Sequence, residues 1–240
     1  MDERKVAVVA GGSGGIGEGV VHALIKAGYR VYVPTRPGDH SERLKAYVGH
    51  AADLKTIPAD LCDEQAVVAM RDAVVAAEGH VDAVVVSVGA DYYGYRLHRM
   101  PRTDLDRSIH DNLITHFNIQ RSFIDQLRKQ DHGTYVTLIG PEAESILVDA
   151  GMMSIMAAAQ KMMSRVMASE ASDSPIRVHA LTAHTTVKTR SRGSSSNDDW
   201  ITAEELGEYV TRLIEGQISG SQEALHELRG LAQVRKALGR

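Results

Sequence analysis

The sequence is nearly free of cysteine. Cys62 is the single cysteine in 240 residues, so the chain cannot form an internal disulfide framework. A chain of this length can bury a large hydrophobic core without disulfides or a structural metal, and we expect no metal site. A lone cysteine is typical of proteins in a reducing compartment, and we therefore expect a cytoplasmic protein.

The sequence also lacks a long hydrophobic run and an excess of basic charge. No apolar stretch approaches the roughly 18 residues that a membrane-spanning helix needs. The first residues run directly into an apolar segment and a glycine turn, so we expect neither a signal peptide nor a membrane anchor. A formal net charge of -4 argues against nucleic acid as the main partner. A small molecule remains as the expected partner.

Short apolar runs alternate with segments of helical periodicity along the whole chain. This alternation is typical of β-α-β units, in which helices join parallel strands and cover both faces of one sheet. We find no internal repeat, low-complexity block or linker, so residues 1–240 are expected to form one doubly wound parallel α/β domain, a Rossmann fold. The predicted strands are 5–10, 30–34, 54–58, 81–88, 134–139, 176–181 and 224–228; the predicted helices are 16–27, 63–78, 103–129, 152–172, 203–215 and 231–240; residues 191–199 are predicted to be a polar loop.

A glycine-rich turn with the sequence Gly-Gly-Ser-Gly-Gly-Ile-Gly follows the first predicted strand at residues 11–17. It can be read in two frames, as GxGxxG from Gly12 or as GxxxGxG from Gly11. Glycine allows a tight turn and lets the backbone approach a pyrophosphate, while the helix that begins here offers free N–H groups and the positive end of its dipole. The strand–turn–helix context predicts a dinucleotide site near the start of the chain.

The end of the second predicted strand indicates which nicotinamide cofactor would bind. A site for NAD usually has an acidic residue about 20 residues after the glycines, where it accepts a hydrogen bond from the ribose 2′-hydroxyl. This chain has Arg36 instead. A guanidinium forms charge-assisted, bidentate hydrogen bonds with a phosphate, so we expect NADP(H) in preference to NAD(H).

Several of these residues resemble the short-chain dehydrogenase/reductase family. The frame that begins at Ala10-Gly11 resembles the family's TGxxxGIG turn, Asp60-Leu61 resembles the pair beside the adenine ring, and Asn112 matches the asparagine of the catalytic helix. The resemblance covers about residues 5–215 and implies a Rossmann fold that binds NADP(H). The cofactor site that it implies consists of Gly11, Ser13, Gly15, Ile16, Gly17, Arg36, Asp60, Leu61, Gly89 and Thr189.

The residues that carry the family's chemistry are missing where the resemblance implies them. In the family, a serine orients the substrate carbonyl, a tyrosine donates a proton while hydride leaves the nicotinamide, and a lysine lowers the pKa of that tyrosine. An ungapped alignment of residues 133–170 puts Gly140, Met153 and Ala157 at these three positions. None of them has a side chain that can donate a proton. No Tyr-x-x-x-Lys occurs anywhere in the sequence.

Other side chains are candidates for the missing groups. Asn112 is retained, and His184 begins the expected substrate loop, where it could point into the cleft; we take these two as the candidate catalytic residues. His116 lies one helical turn after Asn112 and either acts as an acid or faces a partner helix or water. Further candidates follow the fourth and fifth predicted strands, at the mouth of the cleft. They are Tyr92, Tyr93, Tyr95, Glu142 and Glu144.

The helix predicted at residues 152–172 contains six of the nine methionines. Methionine fills irregular apolar gaps, so these side chains favour core packing and a subunit interface, or alternatively a pocket for a bulky apolar ligand. In the resembling family, subunits commonly pair through this helix and the long helix that carries Asn112. We therefore expect a homo-oligomer, or a hetero-oligomer with an active homologue.

Three functions are compatible with the sequence. The first is an NADP(H)-dependent carbonyl reductase, a ketoreductase, whose non-standard active site acts on a small-molecule carbonyl substrate. The second is a catalytically silent homologue that serves as a cofactor sensor or a structural partner subunit. The third is a redox-neutral isomerase or cyclase that uses the same cleft. The intact glycine turn favours the first function, and the three replaced residues favour the second.

Overall fold

The apolar segments of the chain form a parallel β-sheet that is covered by helices on both faces. The computed structural model of the protein describes residues 4–36, 41–190, 192 and 197–240. The strands are β1 (Val6–Ala10), β2 (Arg30–Thr35), β3 (Leu54–Pro58), β4 (Ala83–Val86), β5 (Thr134–Ile139), β6 (Arg177–Ala183), β7 (Val187–Lys188), β8 (Ile201–Thr202) and β9 (Leu225–Leu228). The α-helices are α1 (Gly17–Lys26), α2 (Ser41–Tyr47), α3 (Glu64–Glu78), α4 (Arg102–Ser108), α5 (Thr115–Lys129), α6 (Gly151–Glu170), α7 (Ala203–Ile214) and α8 (Leu231–Ala237).

The strands of the large sheet lie in the order β3-β2-β1-β4-β5-β6-β9, and every neighbouring pair is parallel. The chain moves outward from β1 to β3, returns to place β4 beside β1, and then moves outward in the other direction. In doubly wound sheets, a ligand binds beyond the carboxyl ends of the strands where this reversal occurs. The expected Rossmann fold is confirmed, and the reversal marks the position of the site.

Both faces of the sheet are buried, because successive residues of a strand point to opposite sides. In β1, Ala7 and Val9 belong to the core layer that contains α1 and α7. Val6, Val8 and Ala10 belong to the second core layer, which contains α3 and α5. This burial on two sides explains why the central strands β1 and β4 appear in the sequence as continuous apolar runs.

Local chemistry explains two of the helix ends that the sequence predicts. The Asp63 carboxylate caps α3 by accepting hydrogen bonds from the backbone N–H groups of Gln65 at 2.8 Å and Ala66 at 3.3 Å. Gly28 follows the end of α1 with a φ of 88°, a conformation that glycine adopts without strain. Both ends confirm the sequence analysis.

The structure departs from the predicted elements in three places. Helix α2 was not predicted, because Leu44 is its one buried residue and the segment shows no apolar stripe. The predicted helix at residues 103–129 consists of α4 and α5 joined by a π-helical turn, Ile109–Ile114. Strands β7 and β8 form an additional two-stranded parallel ribbon. The loop predicted at residues 191–199 lies partly outside the described residues.

Helix α6 has 20 residues and is therefore long enough to compare with a membrane-spanning helix. Its sequence includes Lys161, Arg165 and Glu170. Across the described ranges, none of the helices combines the length and apolar character needed to cross a bilayer.

Candidate active site

The turn after β1 needs glycine for its backbone geometry. Gly11 has a φ of 80°, and a Cβ on Gly17 would overlap the carbonyl oxygen of Gly11. Helix α1 starts without a side-chain cap. Among the backbone–backbone hydrogen bonds of the described residues, none uses the N–H groups of Gly15 or Ile16. These donors, together with the positive end of the helix dipole, can bind an anion in the cavity that Gly15 and Ile16 line.

Two adjoining cavities lie beyond the carboxyl ends of the strands, where the strand order reverses. The larger cavity has a volume of about 430 Å³ and the smaller one about 260 Å³. The residues that line both cavities are Gly14, Ser87, Val88, Gly89 and Ala90. Because they share this wall after β1 and β4, the two cavities form one cleft, of a size that suits a small-molecule ligand.

The smaller cavity brings together the residues expected at the adenosine end of the cofactor. Its lining includes Gly11, Ser13, Arg36, Asp60 and Leu61. The Asp60 carboxylate accepts a hydrogen bond from the backbone N–H of Cys62 at 3.1 Å. Asn118 donates to the carbonyl oxygens of Leu61 at 3.3 Å and Cys62 at 3.0 Å. The loop after β3 is thereby fixed against α5, with Arg36 beside it at the end of β2.

The larger cavity contains the remaining expected residues apart from Gly17, which packs beneath Gly11. Its lining includes Gly15, Ile16, Gly89, Asn112 and Thr189. Hydrogen bonds of its side-chain amide fix the position of Asn112. Its Oδ1 accepts from the backbone N–H of Ala90 at 2.9 Å, and its Nδ2 donates to the carbonyl oxygens of Ala90 at 3.2 Å and Ser108 at 3.1 Å. Gln160 of α6 donates to the carbonyl oxygen of Asn112 at 3.0 Å. These bonds join the π-helical turn to the loop after β4 and to α6.

The segment after β6 forms another wall of the larger cavity. Thr185, Val187 and Thr189 line it. Arg190 is paired with the carboxylate of Glu18 in the first turn of α1, with N–O distances of 2.6 Å and 3.0 Å. This ion pair ties the segment to the helix that begins at the glycine turn.

The structure corrects the expectation that His184 points into the cleft. Nε2 of His184 contacts the Glu227 carboxylate and lies 3.7 Å from the Glu144 carboxylate. Lys161 forms ion pairs with the same two carboxylates, and the distance from its Nζ to Oε1 of Glu227 is 2.6 Å. The neighbours of His184 on both sides line the cavity, and His184, as the alternate residue, faces away from it. Neither His184 nor Lys161 belongs to the lining of either cavity among the described residues.

His116 is a core residue. Its side chain is 1% exposed, and its Nε2 lies 2.9 Å from the carbonyl oxygen of Val88, to which it donates. Burial lowers the pKa of His116 to about 4, so that the ring is neutral at pH 7. Of the two possibilities that the sequence left open, the structure supports packing rather than acid catalysis.

The tyrosines after β4 form a rim outside the cleft. The Tyr92 hydroxyl donates to Oδ2 of Asp111 at 2.6 Å, and burial together with this carboxylate raises the pKa of Tyr92 to about 12. Tyr93 is 62% exposed and Tyr95 is 41% exposed. None of the three is among the described residues that line the two cavities.

The three positions that the resemblance assigns to serine, tyrosine and lysine all line the larger cavity. Gly140 follows β5, and Met153 and Ala157 face the cavity from α6. A Cβ on Gly140 would overlap Oε2 of Glu142 and would lie 3.0 Å from its Cδ. The Glu142 carboxylate therefore covers Gly140. Sequence reasoning left Glu142 among several candidates, because its direction depends on the fold of the loop after β5.

Comparison with known proteins decides the family. The sequence profile of the short chain dehydrogenase family matches residues 5–200. The chain belongs to the short-chain dehydrogenase family. Most of the residues that line the cleft of this short-chain dehydrogenase, from Gly11 to Arg192, lie within the matched range.

Curated relatives of this short-chain dehydrogenase include two bacterial reductases. The acetoacetyl-CoA reductase of Acinetobacter sp. is 28% identical over 141 residues, which are 58% of this chain and 56% of the relative. The rhamnolipids biosynthesis 3-oxoacyl-(acyl-carrier-protein) reductase of Pseudomonas aeruginosa is 29% identical over 129 residues, which are 52% of this chain and 48% of the relative. The chain thus spans about half the length of these two curated relatives.

Solved structures share the fold of this short-chain dehydrogenase over nearly its whole length. The structure described as ElxO with NADP bound has a TM-score of 0.83 and 16% sequence identity. The similarity covers 94% of this chain and 97% of that chain. At this identity, the likeness establishes the seven-stranded fold.

Proposed function

We propose that this short-chain dehydrogenase is an NADP(H)-dependent oxidoreductase that reduces a small carbonyl compound. The glycine turn carries the proposal. Its uncapped helix start leaves backbone donors beside a cleft at the reversal of strand order. The pyrophosphate of a dinucleotide is the ligand whose charge these donors fit.

The residues of the cleft suit NADP(H) along its length. Gly11, Ser13, Gly15 and Ile16 would hold the pyrophosphate, with Gly17 supporting the turn from below. Asp60 and Leu61 would bind the adenosine, Arg36 the 2′-phosphate, and Gly89 and Thr189 the nicotinamide half. When bound, the cofactor would supply the hydride for the reaction.

The proposed substrate is a carbonyl compound with a bulky apolar part. The two curated relatives described above are reductases, and their names give acetoacetyl-CoA and 3-oxoacyl substrates. In this chain, Leu138, Met153, Met156 and Leu181 line the larger cavity. These flexible and branched apolar side chains favour an apolar substrate group.

We further propose that the active site works without the family's tyrosine and lysine. Met153 and Ala157 cannot donate a proton. Lys161, one helical turn after Ala157, is held by Glu144 and Glu227 instead. Correct placement of the two reactants can by itself supply a large part of an enzymatic rate enhancement. In this chain, Asn112 and its hydrogen bonds would keep the wall of the substrate site rigid.

A catalytically silent homologue is the second candidate. Gly140, Met153 and Ala157 line the substrate end of the cleft without a functional side chain, and this observation favours it. Such a protein would bind NADP(H) as a sensor, or as the partner subunit of an active homologue.

The oxidation of NADPH by the purified protein separates these two candidates. The assay uses a panel of ketones that includes acetoacetyl and 3-oxoacyl thioesters. Turnover that Gly15→Trp abolishes supports the reductase and contradicts the silent homologue. Calorimetric binding of NADPH without turnover of any substrate in the panel, alone or with a homologous subunit, contradicts the reductase.

The double variant Met153→Tyr, Ala157→Lys provides a second test. In a reductase built around another proton donor, the variant should change the rate only modestly. In a silent homologue that binds the cofactor in the family's usual position, it should create weak activity from none. The wild-type baseline in the same assay distinguishes the two outcomes.

A further inference from the structure

The loop after β5 brings a carboxylate into the larger cavity. Pro141 begins a short 3₁₀ turn, Pro141–Ala143, and both Gly140 and Glu142 line the cavity. A side chain at position 140 would overlap Oε2 of Glu142. The half-buried carboxylate of Glu142 occupies the space that a side chain at 140 would fill, and the absence of a Cβ on Gly140 allows it to do so.

This location corresponds to a position with a known task in the resembling family. The alignment puts the family's serine at position 140. The side chain of a serine there would extend from Cα in the direction of the Cα–Cβ bond. In this chain, the carboxylate of Glu142 lies across that direction. A carboxyl group donates a hydrogen bond when it is protonated and accepts one when it is ionised, so it can take part in either direction of a proton transfer.

Three of the other titratable candidates are engaged in bonds elsewhere, and Tyr93 and Tyr95 are exposed on the rim. His116 donates to a backbone carbonyl, Tyr92 to Asp111, and Glu144 contacts Lys161. None of these candidates lines either cavity among the described residues. Asp91 does line the larger cavity, but it is exposed at the rim, whereas Glu142 is half-buried beside Gly140.

We propose that Glu142 is the proton donor of the carbonyl reduction. The cofactor, when bound, would supply the hydride that the carbonyl carbon receives. The Glu142 carboxyl group would transfer its proton to the carbonyl oxygen, which takes up the π electron pair of the C=O bond. The products would be the alcohol, the oxidised cofactor and the Glu142 carboxylate, which would regain a proton from solvent. In the reverse direction, the carboxylate accepts the proton of the alcohol. This inference rests on the proposed reductase function.

The proposal predicts the direction of the pH dependence. Reduction requires the protonated acid and should slow as pH rises, whereas oxidation requires the carboxylate and should slow as pH falls. Among the described residues, the charged groups that line the same cavity as Glu142 are Asp91 after β4 and Arg192 after β7, and Tyr93 on the rim lies close enough to interact with Glu142 electrostatically. We attribute the pH dependence of the rate to Glu142 only if replacing Glu142 abolishes that pH dependence.

Three variants test the assignment by steady-state NADPH oxidation. Glu142→Gln removes the acid and is expected to lower kcat by about 100-fold or more and to flatten the pH profile. Gly140→Ala is expected to lower kcat as well, because its methyl group would displace the carboxylate. Glu144→Gln makes the same charge change two residues away, outside the cavity, and should leave kcat unchanged. NADPH affinity, measured by calorimetry, should be retained in all three variants.

A second measurement does not depend on turnover. A primary carboxamide presents a carbonyl oxygen that NADPH does not reduce. If Glu142 must be protonated to donate to this oxygen, amide binding to the protein–NADPH complex takes up a proton at any pH where the free carboxyl is ionised. Calorimetry in two buffers of different ionisation enthalpy measures this uptake. It should occur in the wild type and in Glu144→Gln and be lost in Glu142→Gln.

The outcomes separate this assignment from the proposed function. Turnover that is unchanged in both Glu142→Gln and Gly140→Ala would overturn the role of Glu142 and leave the reductase intact. NADPH binding in the wild type with neither turnover nor proton-linked amide binding would overturn both. If Glu142→Gln does not fold, Glu142→Asp should keep part of the activity, and Gly140→Ala still tests the position of the carboxylate.

Discussion

Arg36 places a guanidinium at the adenosine end of the cleft. It follows the last residue of β2 and lines the same cavity as Asp60 and Leu61. In the proposed complex, this group would meet the 2′-phosphate that distinguishes NADP(H) from NAD(H). The preference for one cofactor over the other would then depend chiefly on one side chain.

The substitution Arg36→Asp is expected to reverse the cofactor preference. Aspartate would repel the 2′-phosphate and accept a hydrogen bond from a 2′-hydroxyl. Loss of the charge-assisted bonds should weaken NADPH binding by about 10- to 100-fold. Calorimetric titration of both cofactors measures the change, and Arg99→Asp, outside both cavities, is the control for net charge. Equal affinities of the native protein for NADPH and NADH would contradict the prediction.

His116 makes the stability of the fold depend on pH. In the folded protein, burial lowers its pKa from 6.5 to about 4. Between these two values, the unfolded chain binds the proton and the folded chain does not. Protons therefore favour the unfolded state, and the contribution of His116 to stability is lost as pH falls from about 6.5 towards 4.

We expect His116 to lower the free energy of unfolding by about 2 kcal/mol between about pH 7 and about pH 5. Urea unfolding at the two pH values measures the difference. The pH-dependent loss should be smaller in His116→Gln, whatever that variant costs at neutral pH, and unchanged in His98→Gln, whose side chain is exposed. The same pH-dependent loss in His116→Gln and the native protein would refute the role of His116.

Helices α1 and α7 approach each other closely because each has a glycine at their contact. A Cβ on Gly19 would overlap the carbonyl oxygen of Ala203, and a Cβ on Gly207 would overlap the carbonyl oxygen of Gly19. The close contact lets both helices cover the same face of the sheet, where Leu24 and Leu206 are buried. Because α1 begins at the glycine turn, this contact also supports the cofactor site.

Replacement of either glycine by alanine should destabilise the fold. The new methyl group would meet rigid backbone, and overpacking of this kind typically costs about 1–3 kcal/mol. Gly19→Ala and Gly207→Ala should therefore unfold at lower urea concentration and bind NADPH more weakly. Gly230→Ala is the matched control, because nothing lies within 4 Å of the added methyl group. Native stability in both test variants would show that the helices can separate without cost.

An exposed apolar surface runs along α5 and α6. Phe117 of α5 and Ile155, Met162 and Val166 of α6 are exposed. Gln120 of α5 donates to the Ser164 hydroxyl of α6 at 3.0 Å, which holds the two helices side by side. Several exposed large apolar side chains on two neighbouring helices favour an interaction site.

We expect this surface to pair two copies of the chain, because a twofold axis buries the same patch on both. Light scattering at micromolar concentration should report an oligomer. Phe117→Glu combined with Val166→Glu should produce monomers that still bind NADPH. Ile146→Glu, an exposed apolar position in the loop after β5, should leave the oligomer intact. A native protein that is monomeric under these conditions would contradict the expectation.

Hydrophobic periodicity alone was sufficient to predict the sheet. The strands at 54–58 and 134–139 begin and end where the sequence predicts. Burial on two faces gives the central strands β1 and β4 their unbroken apolar runs. The glycine turn and the position of Arg36 could also be predicted from the sequence, because the conformation of a turn and the end of a strand depend on residues that are neighbours in the chain. Helix α2 could not be predicted, because a helix that buries only Leu44 shows no hydrophobic periodicity in its sequence.

The direction of single polar side chains depended on the tertiary structure. His184 and Glu142 both follow a strand at the cleft edge of the sheet, and the sequence offers the same reason to place either in the cleft. Strand alternation turns His184 towards Glu227, whereas the loop after β5 turns Glu142 over Gly140. A shift of one residue reverses the face on which a side chain lies, and the final direction depends on partners from distant parts of the chain.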